Sequence, residues 1–413
     1  MKKAFTLCLL ALALPVGAQS YLDRISDYID NTSVFEENQE PGRAFHIPAQ
    51  SLSLNGTWKF GYFESPAEVP ADFFKPAFND RKWGTIEVPS NWEMQGYGQA
   101  VFRNVSAPFY IVPPEEIRNR FRRRFQEDAP PFAVQFPKAP EFNPTGAYRT
   151  TFNLPRDWNG EQVFLRFEKV ASASFVWING QEVGYNEGAQ EPAEYNVTKY
   201  LKPGKNTLAV LVLKYSDGYY LEGQDYWRLA GIFDDVTLYA SPQARIWDWQ
   251  VITDFGPDFV DSDLSVAVTL RGFDVQGSGY RVKATVSKDG KNVAEMSGGP
   301  VAIGPGSCQT VNLAAKVKAP EKWTAETPAL YRLDLVLTDA AGKVVDQVDK
   351  RIGFKKTEIR DGVFYLNGQP VKVSAQCSHM QHPTLGHAMT EEVVRRDMEI
   401  LKQFNFNGVR TSH

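Results

Sequence analysis

The residues with the greatest capacity for chemistry crowd the end of the chain. His379 and His382 lie in Gln376-Cys377-Ser378-His379-Met380-Gln381-His382-Pro383, and the chain closes on Gly408-Val409-Arg410-Thr411-Ser412-His413. A neutral imidazole offers one donor and one acceptor, which suits a hydroxyl partner. Taken alone, a histidine is more often structural. The stretch Tyr365 to Phe406 reads as strand, loop and helix, and Gly408-Val409-Arg410 begins a second strand that carries Arg410 and His413 to its end. A lone β-α-β unit cannot bury its own strands, because such sheets are covered on both faces. The chain is therefore expected to be the front part of a longer protein.

A second chemical feature is cationic. Arg118, Arg120, Arg122, Arg123 and Arg124 are interleaved with Phe121 and Phe125 in a proline-bracketed stretch near residues 112–142. Such a patch suits an anionic polysaccharide. Glu115, Glu116, Glu127 and Asp128 partly neutralise it, and a solvated face on a long loop is the expectation.

Composition sets the frame around these groups. The 413 residues carry a net charge of -4, which gives no reason to expect nucleic acid as a partner. Nine Trp and seventeen Tyr suit carbohydrate stacking, although large β-proteins also spend aromatics on their cores. Lys2-Lys3, the apolar run Phe5 to Val16 and the small residues Val16-Gly17-Ala18 read as a signal peptide over residues 1–18, cleaved before Gln19. A secreted or periplasmic location follows, and no later segment is apolar for long enough to span a membrane. Cys308 and Cys377 sit in different predicted domains, so free buried thiols are expected rather than a disulfide.

The elements that must position the site are mostly strands. Residues 19–45 read as a polar lead-in. Residues 46–240 show short strands with turn punctuation, which argues for a jelly roll. Leu54-Asn55-Gly56-Thr57-Trp58 feeds a strand, Gln162 to Phe167 alternates, and Asn179-Gly180 between apolar runs is a strong hairpin signal. Residues 241–352 form a second all-β block of immunoglobulin-like size, with alternation over Asp263–Leu270 and Tyr331–Leu337. From residue 353 to 413 the pattern turns to β/α, with Thr390-Glu391-Glu392 as a helix start.

Several long segments in order carry a resemblance. They are Pro89-Ser90-Asn91-Trp92-Glu93-Met94-Gln95-Gly96-Tyr97 with Asn104-Val105, Asn143 to Tyr148, Trp177-Ile178-Asn179-Gly180, Ser216-Asp217-Gly218, Glu222 to Phe233, His379 to Pro383, and Phe404 to His413. Together they resemble glycoside hydrolase family 2, most closely its β-galactosidase branch. That resemblance implies a jelly-roll sugar-binding domain, an immunoglobulin-like sandwich and the start of a TIM (β/α)8 barrel. Active sites of such barrels lie at the C-terminal ends of the strands. It further implies substrate-binding roles for Asn104, Asp225, His379 and His413. Asp225 would also help hold a sodium ion, and Mg2+ would belong to the longer protein. Trp227 and Arg228 would hold the loop behind Asp225, and His382-Pro383 would shape its own loop. A homo-oligomer is compatible with the resemblance.

The sequence departs from the family at one edge of the pocket. The family usually has Asn-Arg-His-Glu before its His-Pro, whereas Gln376-Cys377-Ser378-His379-Met380-Gln381 stands here. A galactoside within a larger polysaccharide is then as compatible as lactose. A retaining glycosidase needs two carboxyl groups about 5–5.5 Å apart. The resemblance places both on later barrel strands, so no catalytic residue is expected in this chain and no turnover from it. A β-glucuronidase, a β-mannosidase or a non-catalytic carbohydrate-binding fragment remain the alternative readings.

Overall fold

A computed structural model describes residues 21–29, 31–103, 143–222 and 225–412. The signal-peptide stretch, the arginine-rich insertion, Asn104 and His413 lie outside the described residues.

The jelly roll is two facing antiparallel sheets. A seven-stranded sheet is centred on Gly204–Leu213, which pairs with Thr145–Leu154 on one side and Ala173–Ile178 on the other. A four-stranded sheet contains Ala193–Asn196, Gln162–Phe167, Val236–Ser241 and Ser51–Ser53. Leu165, Val176, Ile178, Leu208, Val210 and Leu238 fill the space between them. The outer face of the larger sheet is covered too. The helix Tyr21–Ile29 sets Ile25 and Ile29 against Phe73, Phe175, Trp177 and Tyr185. Burial on both faces explains why Leu208 to Leu213 is continuously apolar instead of alternating. The predicted polar lead-in thus contributes a helix and an edge strand, Glu36–Glu37, to the jelly roll.

Asn179 and Gly180 close the hairpin between Ala173–Ile178 and Gln181–Asn186 with φ of 53° and 83°. Both values belong to the primed turn that matches strand twist. The Asn179 amide then donates to Tyr200 O at 2.9 Å and Asn206 Oδ1 at 2.8 Å, locking the turn onto its neighbours.

The second block is a sandwich of three and four antiparallel strands. Its strand Ser262–Gly272 alternates buried and open positions, as its period-two sequence predicts. Val266, Val268, Leu270, Val282, Val286, Leu333 and Leu335 form its core. Arginines join it to the jelly roll. Arg43 lies 3.6 Å and Arg271 4.2 Å from the ring centre of Trp247, and the two bind Glu194 and Glu40 respectively.

The last block opens with a small antiparallel sheet, Thr357–Arg360, Val363–Leu366 and Gln369–Pro370. Tyr365 belongs to this sheet. The strand that starts the β-α-β unit is Ala375–Ser378, which pairs in parallel with Gly408–Thr411 across the helix Glu391–Gln403. Thr390 caps that helix by accepting from Val393 N. Cys308 and Cys377 are free, as expected, but both are exposed rather than buried. Each sits on an open strand face, Cys308 at a strand's first residue. No described helix is long and apolar enough to cross a membrane.

Candidate functional site

The site lies where the β-α-β unit meets the jelly roll. Its foundation is Trp92, fully buried against Phe60 and Tyr62 at centroid distances of 6.3 and 6.0 Å. That anchor fixes the loop Pro89–Tyr97, and the flanking polar residues point inward. Glu93 accepts from Lys214 Nζ at 2.6 Å and from Ala230 N at 3.0 Å. Burial pushes the Glu93 carboxyl up, and Lys214 and the Ala230 N–H pull against that rise. This loop is therefore a brace for the strands behind it.

Asn91 is the bridge. Its side chain is fully buried, its Oδ1 accepts from His387 N at 2.7 Å, and its Nδ2 donates to Ala230 O at 3.4 Å. The turn His382–Gly386 docks here because Gly386 takes φ of 64° and has no side chain. A Cβ there would lie 2.7 Å from Asn91 Oδ1 and 2.8 Å from Met94. His382 shapes the same turn, its Nδ1 accepting from Thr384 N and Leu385 N, each at 3.3 Å. Asn91→Ala strands the buried His387 N–H. Its expected cost is about 1–3 kcal/mol of stability, read by urea denaturation, and an unchanged midpoint would refute the bridging role.

Tyr226 receives the other side of this contact. His379 stacks on its ring at 5.7 Å and 22°, and His387 lies at 5.0 Å and 38°. His387 is buried, with Nε2 unpartnered, beside a cavity of about 30 Å³ also lined by Ser172, Lys214, Glu222 and Arg228. Burial, followed by the charges of Arg228, His379 and Lys169, lowers its pKa to about 4, so it is neutral at pH 7. Glu222 accepts from Ala189 N at 2.6 Å, and burial raises its pKa to about 7 against that bond. Arg228 is buried with its guanidinium 5.0 Å from the Tyr219 ring and 5.4 Å from that of Tyr226.

Of the four predicted binding residues, Asp225 and His379 are described. They meet through Tyr226, which follows Asp225 directly and stacks on His379. Asp225 is exposed at the head of the strand Tyr226–Arg228, which pairs with Val101–Arg103. Trp227, expected to hold the loop behind Asp225, is half-exposed, with its ring 5.8 Å from that of Phe102. His387 went unremarked in the sequence, as did the partnership of Asn91 with it. A Gly-His pair three residues after His-Pro was the signal available.

Comparison with known proteins agrees with this architecture. The model for the sugar-binding domain of glycosyl hydrolases family 2 matches residues 52–242. The family's central model matches 244–355, and that of its TIM barrel domain matches 357–413. A β-galactosidase of Photobacterium profundum is 38% identical over 378 residues, covering 89% of this chain and 34% of that protein. One from Priestia megaterium is 34% identical over 408 residues, covering 94% and 37%. The chain thus spans about a third of the length of these relatives. Among solved structures, a Bacteroides uniformis β-glucuronidase aligns with a TM-score of 0.70 at 25% identity, covering 88% of this chain and 39% of that one. A Ruminococcus gnavus β-glucuronidase gives 0.65 at 21%, covering 91% and 57%. With all three family models matched in order, jelly roll, sandwich and barrel start, this chain belongs to family 2 of the glycosyl hydrolases.

Proposed function

We propose that the chain supplies the sugar-binding side of a retaining β-galactosidase that acts on terminal β-galactosides of oligo- or polysaccharides. The observation that carries this reading is the junction of His379 with the Asp225 strand through Tyr226, together with β-galactosidase relatives at 34–38% identity. In this reading Asp225 accepts from sugar hydroxyls, and His379 gives one donor or acceptor to the ring. Asn104 and His413 complete the set. Tyr226 and Asn91 are positioning residues that hold the two histidine-bearing turns against the jelly roll. The two carboxyl groups of the cleavage chemistry are not assigned to any residue of this chain, so the purified chain is expected to release no product from a chromogenic β-galactoside.

A second reading has one observation in its favour. The two solved structures named above are β-glucuronidases. Calorimetric titration separates the two. Methyl β-galactoside is expected to bind the chain and methyl β-glucuronide to bind more weakly. Asp225→Asn should weaken the galactoside about tenfold, the loss of one charge-assisted hydrogen bond. Tighter binding of the glucuronide would replace the first reading with the second.

A further inference from the structure

The small cavity beside His387 lies on the seam between the β-α-β unit and the jelly roll. Its volume is about 30 Å³, and Ser172, Lys214, Glu222, Tyr226, Arg228 and His387 are on its wall. His387 comes from the β-α-β unit, just after the turn His382–Gly386, and Glu222 ends the short helix Tyr219–Glu222 of the jelly roll. Two polar groups of the wall are committed elsewhere. Lys214 Nζ donates to Glu93 Oε1 at 2.6 Å, and the Ser172 and Ser216 hydroxyls bond each other at 2.6 Å. Two others have capacity left. His387 is 8% exposed, and its Nε2 is buried without a protein partner. Glu222 Oε1 accepts from Ala189 N at 2.6 Å, but a carboxyl offers about four acceptor positions. A buried polar atom is costly to leave unbonded, and such atoms in native proteins find a protein or water partner.

We infer that this cavity binds an ordered water, which joins His387 Nε2 to the Glu222 carboxyl and so ties the turn of the β-α-β unit to the jelly roll. Size and chemistry select the occupant. A buried water needs roughly 10–15 Å³ and roughly two to four polar partners, and the cavity supplies both. Water also donates and accepts at once. The neutral imidazole can present Nε2 as donor or acceptor. Burial raises the Glu222 carboxyl to about 7, so near neutrality it occurs with and without its proton. A water meets each combination by turning. A metal cation needs a lone pair from both groups, and Arg228 and Lys214 stand on the same wall. The tie makes His387 and Glu222 positioning residues. His387 packs on Tyr226 at 5.0 Å, and His379 stacks on the same ring at 5.7 Å. An imidazole held at Nε2, on a backbone held by Asn91, keeps Tyr226 turned to His379. The consequence for sugar affinity rests on the reading given under Proposed function.

The test begins with a high-resolution crystal structure of the 413-residue chain, with a second crystal soaked in RbCl, whose cation is close to water in size. The expected result is a water within hydrogen-bond distance of both His387 Nε2 and the Glu222 carboxyl, and no anomalous rubidium signal there. A rubidium peak, or Nε2 bonded directly to a protein group, would overturn the water site. His387→Phe keeps a ring against Tyr226 and removes Nε2. It is expected to lose the water and to weaken methyl β-galactoside about fivefold in calorimetric titration, the scale of one neutral hydrogen bond. His387→Gln sets an amide near the place of Nε2 and should restore the water and most of the affinity. Equal weakening by the two variants, or a lowered Tm in His387→Phe with unchanged sugar affinity, would identify a packing ring and overturn the positioning role. A wild-type chain that holds the water but binds no methyl β-galactoside would keep the tie and overturn the galactose reading. The Tyr226–His379 ring distance in crystals of His387→Phe then reads the positioning role: a longer distance keeps it, and an unchanged one overturns it.

Discussion

Lys214→Met is expected to lower the unfolding free energy by about 3–5 kcal/mol at pH 7.5, the usual cost of breaking a buried ion pair from one side. The side chains of Lys214 and Glu93 are 4% and 0% exposed and meet at 2.6 Å. Methionine fills the space of the lysine stem but leaves the Glu93 carboxylate with backbone N–H donors and no countercharge. The loss should depend on pH, with a definite sign. Burial already holds the Glu93 carboxyl above its ordinary value, and Lys214 is the largest influence opposing that rise. Without it the folded-state value climbs further. A raised carboxyl contributes fully below the unfolded value, near 4.3, and that contribution is lost as pH rises through the folded value. The deficit of the variant is therefore expected to be small at pH 5 and full at pH 7.5. Urea titrations at the two pH values read it directly. Equal deficits at both would mean that packing, not charge, joins the two residues. Adding Glu93→Gln to the variant should recover stability at pH 7.5, since a neutral amide can accept from Ala230 N without a buried charge.

This pair also shows where the sequence stops being informative. Asn179-Gly180, the alternation of Ser262–Gly272 and the Thr390 cap are local signals, each set by residues close together in the chain, and the structure repeats them. Glu93 and Lys214 are 121 positions apart, and no local pattern says that they meet. The helix Tyr21–Ile29 was legible in principle. Leu22, Ile25 and Ile29 fall at helical spacing, although the segment's polarity suggested a loose lead-in. The exposure of Trp227 was not legible, because a tryptophan inside a family motif reads equally as packing or as contact. Its exposure is decided by the strand Val101–Arg103, paired from more than a hundred residues away. The strand that starts the β-α-β unit was misplaced for a related reason. Tyr365 lies in an extended segment, but its partners are antiparallel neighbours, and only the pairing of Ala375 with Gly408 shows where the parallel sheet begins.

The second large effect is expected at alkaline pH, from a buried carboxyl pair behind the site. Glu187 and Asp217 are 4% and 7% exposed. Their backbones are fixed from the N-terminal segment, since Asp217 N donates to Ile29 O at 2.8 Å and Glu187 N to Phe35 O at 2.9 Å. The Tyr185 hydroxyl donates to Glu187 Oε1. Burial, then the hydrogen bond with Asp217, holds the Glu187 carboxyl well above the ordinary range, and burial raises Asp217 as well. Glu187 therefore keeps its proton near neutrality and is hydrogen-bonded through it to Asp217. The sign follows as for Glu93: folded values above the unfolded ones give stability that is present in acid and lost as pH rises through the folded value. The wild-type Tm is expected to fall from pH 6 to pH 9.5 in buffer with EDTA. Glu187→Gln should remove most of that fall, because its amide can donate to Asp217 while its carbonyl accepts from Tyr185, with no proton to lose. At pH 9.5 the variant is expected to be more stable than wild type by about 2–3 kcal/mol, the scale of a buried charge left without a partner. Calorimetric melts of both proteins across this range decide the point. Parallel curves, or a variant that is weaker at every pH, would show that the pair is held by something other than the Glu187 proton.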